Sequence, residues 1–249
     1  METPFHQGKL LLLDKPFGWT SFDLVNKVRR DIERHYGLKR LGIKVGHAGT
    51  LDPLASGLML VCTGKSTKMI NELQGMDKEY TGTFYLGATS ASFDQETPVN
   101  QTYPVAHIHE AAIRQTALKF IGEQEQIPPA FSAKQIDGKR AYEYAREGEN
   151  VPLKSCRITI YEFEIVKIEL PFVDFRVVCS KGTYIRSLAR DFGNALDSGG
   201  MLSGLKRTRI GTYLLNQAKA EVEGIQFLSA IPNNKSNQIK FHPVTEKLD

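Results

Sequence analysis

One unit constrains the fold of this chain more than any other: a strand-to-helix junction at residues 173–196. Val173, Phe175, Val177 and Cys179 alternate with Asp174, Arg176, Val178 and Ser180. A period of two predicts a half-buried strand, because successive side chains leave a strand on opposite faces. Lys181-Gly182-Thr183 breaks the alternation, and the period changes. Ile185, Leu188, Ala189, Phe192 and Leu196 now fall at i, i+3, i+4, i+7 and i+11, one face of a helix. A helix and a strand each apolar on one side call for a helix layer over a sheet.

The rest of the chain supplies more of both. Residues 9–13 read as a short buried strand, and Pro16-Phe17-Gly18 as a turn. A helix should start at Thr20 or Ser21, with Asp23 completing a capping box. Its apolar face is Leu24, Val25, Val28 and Ile32. Its other face carries Lys27, Arg29, Arg30 and Arg34, and Lys39, Arg40 and Lys44 follow. Tyr80 to Leu86 has strand composition and ends at Gly87. Residues 107–121 predict an amphipathic helix through Ile108, Ala112, Leu118 and Ile121. Arg157 to Leu170 reads as a strand whose phase shifts predict bulges. Residues 128–150 are polar and too long for a simple turn, so a lid-like or mobile excursion is expected. The tail from Pro232 to Asp249 is rich in Asn, Ser and Lys and is expected to be poorly ordered. Strands with a few unevenly inserted helices predict an α+β domain rather than a regular βαβ repeat.

Composition narrows the class. In 249 residues there are three cysteines, Cys62, Cys156 and Cys179, with no C-x-x-C, so neither a disulfide framework nor a Cys-rich zinc site is expected. The apolar run Leu10 to Leu13 is too short for a signal-peptide core, and no stretch is long enough to span a membrane. A soluble, cytoplasmic protein follows. The formal net charge of +4 permits a polyanionic partner without requiring one. Gly64-Lys65-Ser66 mimics the end of a phosphate-binding loop, but Met59 stands where its first glycine belongs, so Lys65 reads as a solvated turn residue. His107 and His109 read as exposed, not as a metal pair. Asp94 and Glu96 read as part of a solvated loop.

Two stretches could carry chemistry. In Gly46-His47-Ala48-Gly49-Thr50-Leu51-Asp52-Pro53-Leu54-Ala55-Ser56-Gly57, a carboxylate sits among small residues. Asp52-Pro53 is either a turn initiator or a carboxylate presented in a cleft where glycines let a ligand come close. In Ser180 to Arg190, Tyr184 and Arg186 stand where a helix N-terminus favours anions. They are either a packing aromatic and a surface arginine, or part of a site.

The loop from Gly46 to Gly57 resembles the signature loop of the TruB family of tRNA pseudouridine synthases. Further segments resemble the same family in the same order. They are Leu13-Asp14-Lys15-Pro16, Lys78-Glu79-Tyr80, Gly182-Thr183-Tyr184-Ile185-Arg186 and Leu205-Lys206-Arg207-Thr208-Arg209. Residues 128–151, with Gly138-Lys139-Arg140-Ala141-Tyr142, resemble its RNA-gripping thumb loop. The likeness covers roughly residues 9–225.

The resemblance implies the pseudouridine synthase fold: a central mixed, mostly antiparallel β-sheet flanked by helices and RNA-gripping loops. It implies one catalytic domain over residues 1–230, with a thumb-like insertion at about 128–152. Residues 231–249 would be a short tail, with no C-terminal RNA-binding module of the PUA type. The implied reaction converts uridine 55 in the tRNA T-arm to pseudouridine, with no cofactor and no metal, in a monomer without membrane attachment. The alternative is a tRNA-folding chaperone that grips the T-arm without catalysis. By position, Asp52 is implied as the catalytic carboxylate and Arg186 as its partner. Tyr184 lies beside the uracil, Tyr80 stacks on the target base, and His47 and Leu205 contact the nucleotide. Lys15 is carried over as a substrate contact. Lys134, Lys139, Arg140, Lys206 and Arg207 are expected to meet the RNA backbone.

Overall fold

A computed structural model describes residues 2–37, 42–132, 135–136, 139–141, 144 and 153–228. The expectations for Lys39, Arg40, Lys134, most of the 128–152 insertion and the tail from 231 lie outside these residues. For Lys139 and Arg140 only the backbone is described. Among the described residues, nine strands form one sheet. In chain order they are β1 (Leu10–Lys15), β2 (Val45–His47), β3 (Ala55–Thr63), β4 (Lys78–Leu86), β5 (Gly122–Gln126), β6 (Cys156–Glu169), β7 (Phe172–Cys179), β8 (Gly200–Ile210) and β9 (Tyr213–Leu214). The main path is β1-β3-β8-β4-β7-β6-β5, with β2 added to β3 and β9 to β8. The principal helices are α1 (Ser21–His35), α2 (Glu110–Lys119) and α3 (Ile185–Asn194). This is the α+β architecture expected, and no helix among the described residues is long and apolar enough to cross a membrane.

One pairing breaks the antiparallel rule. β3 and β8 run parallel, with Leu205 opposite Ala55, Lys206 opposite Ser56 and Arg207 opposite Gly57. It brings two segments some 150 positions apart side by side, at the end of β3 that the Asp52 loop enters. Gly57 has φ of +111°, and a Cβ there would lie 2.3 Å from the Arg207 carbonyl oxygen. No larger residue fits that contact.

Local signals decide the helices. At α1, Thr20 Oγ1 accepts from the Asp23 amide at 3.0 Å and Asp23 Oδ2 accepts from the Thr20 amide at 2.9 Å, the reciprocal box expected from sequence. Leu24, Val25, Val28 and Ile32 are all buried. α3 buries Ile185, Leu188, Ala189 and Phe192 against the sheet. The anchor is an aromatic cluster in which Phe84 stacks on Phe175 with centroids 4.1 Å apart, while Phe192 of α3 lies 5.4 Å from Phe84. Strand β6 slips register against β7 between Ile160 and Glu162 and between Ile165 and Lys167, the bulges its phase shifts predicted.

α2 departs from the sequence expectation. Leu118 is 65% and Ile121 44% exposed, and the buried residues are Ile113, Thr116 and Ala117. The helix starts only at Glu110, so Ile108 is not part of it. A threonine fills one of the inward positions, and an apolar count alone finds the wrong face.

Because Phe84 is fully buried in contact with both sheet and helix, Phe84→Ala should lower the unfolding free energy by ~3–5 kcal/mol. Urea denaturation should show a lower midpoint with an unchanged slope.

Candidate active site

The loop between β2 and β3 is fixed from several directions. Ala48 N–H donates to the Leu60 carbonyl at 2.9 Å. The buried Arg207 guanidinium, reaching across from β8, donates to the carbonyls of Leu58 at 2.8 Å and of Thr50 and Gly49 at 3.2 Å each. Ser21, the first residue of α1, takes the Leu51 amide on its hydroxyl oxygen at 2.8 Å and donates to the Leu51 carbonyl at 2.9 Å. Gly18 N–H holds the Pro53 carbonyl at 2.8 Å, and Ala55 N–H holds that of Asp52 at 3.1 Å. Asp52 thus projects from a backbone pinned on both sides, with its side chain 36% exposed.

The opposing wall comes from the start of α3. Gln126 on β5 brackets Tyr184, accepting from its amide at 2.8 Å and donating to its carbonyl at 3.1 Å. Two residues on, Arg186 is buried, not the surface arginine of the alternative reading. Its Nε lies 2.9 Å from Asp52 Oδ2 and 3.6 Å from Asp94 Oδ2, and its Nη1 donates to the Ser92 carbonyl at 3.3 Å. The guanidinium is therefore shared between two carboxylates.

Asp94 overturns the expectation of a solvated loop. It is 4% exposed, and its Oδ1 accepts from Ser92 Oγ at 2.5 Å and from the Glu96 amide at 2.9 Å. Burial pushes its carboxyl up, while Arg186 and these hydrogen bonds oppose the shift. It sits in an aperiodic loop whose burial depends on an arginine 92 positions away. Glu96 is exposed, as expected.

Asp52, Tyr80, Tyr184, Arg186 and Leu205 line one cleft of about 590 Å³. Tyr80 is largely buried, and that burial pushes its phenol up. Lys78, to which sequence reasoning gave no role, also lines the cleft. Its ammonium donates to the carbonyls of Gln74 and Met76, and burial lowers its pKa to about 8. His47 sits on β2 outside this lining, half-buried, with Nδ1 lacking a hydrogen-bond partner. Burial pushes its imidazole down. Lys206 is exposed and lines a neighbouring pocket that also includes Leu205, Ser56 and Thr81. His107 and His109 are exposed, as expected; Lys65 is exposed too, at the start of a short 3-10 helix (Gly64–Met69) rather than in a turn.

Two of the expected ligand contacts are enclosed by protein. Arg207 is 1% exposed, its guanidinium donating to backbone carbonyls around the Asp52 loop, and it contributes to the lining of the cleft. Lys15 has no exposed surface, and its Nζ donates to the carbonyls of Pro16 at 2.9 Å and Trp19 at 2.6 Å. It closes the turn into α1.

Burial holds Lys15 at about 8, below the ordinary 10.5. Between these values the unfolded chain binds the extra proton, so this group makes folding stability rise with pH across the window. Relative to Lys15→Met, the wild type should gain stability from pH 8 to pH 10.5, by on the order of 3 kcal/mol at most. Urea denaturation of both proteins at several pH values measures the difference. A flat difference would mean that the ammonium is not desolvated in the folded state.

A family model described as "TruB family pseudouridylate synthase (N terminal domain)" matches residues 34–185. The tRNA pseudouridine synthase B of Flavobacterium johnsoniae is 57% identical over 212 residues, covering 85% of this chain and 92% of that protein. Its namesake from Phocaeicola vulgatus is 56% identical over 211 residues, covering 85% and 89%. Among solved structures, a chain of "Crystal Structure of a Cbf5-Nop10-Gar1 Complex" is 31% identical with a TM-score of 0.62. A chain of "Structure of H/ACA RNP bound to a substrate RNA containing 2'-deoxyuridine" is 29% identical with a TM-score of 0.58. Each match covers 84% of this chain but 50% of the other, so this chain spans half the length of those two proteins.

Proposed function

The chain belongs to the TruB family of pseudouridylate synthases, and from that premise we propose that its cleft isomerises uridine 55 in the T-arm of tRNA, with Asp52 as the catalytic carboxylate. The activity itself, conversion of uridine in tRNA to pseudouridine, comes with the family. The position in the tRNA and the roles of the residues are our reading. The observation that carries it is the 2.9 Å contact between Arg186 and Asp52, at the mouth of a cleft that also holds both tyrosines.

The reaction balances within one nucleotide. The N1–C1′ bond breaks, the base turns, C5 bonds to C1′, and the C5 proton is lost while N1 regains one. The carboxylate serves either by adding to C1′ or by removing a ribose proton. Arg186 orients it and leaves one side of it open to the cleft. Tyr80, largely buried in the cleft wall, offers its remaining face for the uracil to stack on, worth ~1–3 kcal/mol per base. That offsets the few kcal/mol needed to draw the base out of a folded loop. Tyr184, fixed through its backbone by Gln126, stands beside the uracil to take the C5 proton. Leu205 contacts the nucleotide from the cleft wall. His47 and Lys206, outside the cleft, meet RNA on either side of the target, and Lys139 and Arg140 belong to the gripping insertion. The catalytic unit covers residues 1–230.

Asp52→Asn keeps the shape of the side chain and removes its charge. It should abolish conversion of T-arm uridine while tRNA affinity stays within about tenfold, or ~1.4 kcal/mol. Pseudouridine mapping on a tRNA transcript, with binding measured separately, decides this. A variant that still forms pseudouridine would remove Asp52 from the chemistry. Wild-type conversion at a uridine other than 55 would overturn the assigned position.

A further inference from the structure

Three non-glycine residues among those described have left-handed backbones: Phe93, Asp197 and Glu223. Phe93, with φ of +60°, lies between Ser92 and Asp94, both of which meet Arg186. An aromatic residue rarely adopts this conformation, which persists only where the surroundings impose it.

The conformation has a geometric result. The Ser92 carbonyl accepts from Arg186 Nη1 at 3.3 Å, and the Asp94 carboxylate lies 3.6 Å from Arg186 Nε. The residues on both sides of Phe93 thus converge on one guanidinium. Reversing the sign of φ at residue 93 would swing one of them away.

Three contacts impose the conformation. Phe93 N–H donates to the Ser90 carbonyl at 3.2 Å, and Leu202 N–H donates to the Phe93 carbonyl at 2.9 Å. The third is the Arg190 guanidinium, whose central carbon lies 4.8 Å from the centroid of the Phe93 ring. Arg190 is one helical turn after Arg186 on α3, so both project from the same side of the helix. Its side chain is itself restrained, by Asp191 at 2.7 Å and by the Ile127 carbonyl at 3.3 Å.

We propose that Phe93 and Arg190 are a positioning pair for uridine isomerisation: the guanidinium of Arg190 clamps the Phe93 ring, and the clamp holds Ser92 and Asp94 on Arg186. Neither residue touches the substrate. The inference rests on reading Asp52 and Arg186 as the reacting pair, and Phe93 acts through them. The competing role for Arg190, anchoring Ile127 alone, makes no demand on the ring at residue 93.

The test uses the full chain and a tRNA transcript. It measures the single-turnover rate of pseudouridine formation at saturating enzyme, the tRNA Kd and the melting temperature. Phe93→Leu and Arg190→Ala should each slow the chemical step by about tenfold, with Kd within about twofold of the wild type. Phe93→Tyr and Arg190→Lys, which keep a ring and a cation, should restore most of the rate. The double variant Phe93→Leu/Arg190→Ala should be no slower than the slower single one, because the two residues act as a unit. A wild-type rate in Phe93→Leu, a loss confined to Kd, or an additive double variant would overturn the proposal. Should Phe93→Leu melt early, Arg190→Ala carries the same prediction with residue 93 intact. Asp52→Asn runs in parallel. If it is active, the underlying reading fails. If it is inactive while the position 93 and 190 variants react normally, the positioning pair alone fails.

Discussion

The site depends on a buried arginine. Arg207 is almost wholly enclosed, and its guanidinium donates to the carbonyls of Gly49, Thr50 and Leu58 and meets the Tyr80 hydroxyl. A guanidinium cannot discard its charge by losing a proton, so burying it is tolerable only where oxygens meet its donors. That requirement works in reverse on the chain. The Asp52 loop must return its carbonyls to Arg207, because any other path leaves a charge unsolvated at a cost of several kcal/mol. The parallel pairing of β3 with β8 brings the two within reach, and Gly57 lets the backbones come close enough.

Two arginines divide the work. Arg207 holds backbone and Arg186 holds carboxylates. The buried Lys15 has a role like that of Arg207, closing the turn that leads to Ser21, and Ser21 grips Leu51 beside Asp52. Three buried cations, Lys15, Arg186 and Arg207, thus converge around one partly exposed carboxylate. The cost of desolvating them is the cost of having Asp52 in place before a substrate arrives, which is where electrostatic preorganisation resides.

Local signals in the sequence were legible and long-range ones were not. The Thr20–Asp23 box, the alternation of β7 and the face of α3 each depend on neighbours within a few positions, and each appears as read. Asp52, Tyr80, Tyr184 and Arg186 were found by motif, and the fold gathers them into one cleft. The burial that the sequence did not disclose shares a cause. Lys15, Asp94 and Arg207 look like surface charges because nothing adjacent to them marks burial. Arg207 is enclosed by residues some 150 positions earlier, and Asp94 by Arg186. The face of α2 was misread because Thr116 is polar yet buried. Residue type predicts burial on average, but partners decide it for charged groups.

Asp52 and Asp94 share one guanidinium and differ in everything else. The Asp94 side chain is 6% exposed and the Asp52 side chain 36%. Asp94 is bonded by Ser92 and by the Glu96 amide, so it belongs to the scaffold. Asp52 faces the open cleft, where water still screens its attraction to Arg186. A base entering the cleft displaces that water, and the same 2.9 Å contact then operates in a lower effective dielectric. The pairing between Arg186 and Asp52 is thus strongest when the nucleotide is bound. On the proposed reading, the pinned loop places Asp52 beforehand, and an entering base strengthens a contact that already exists.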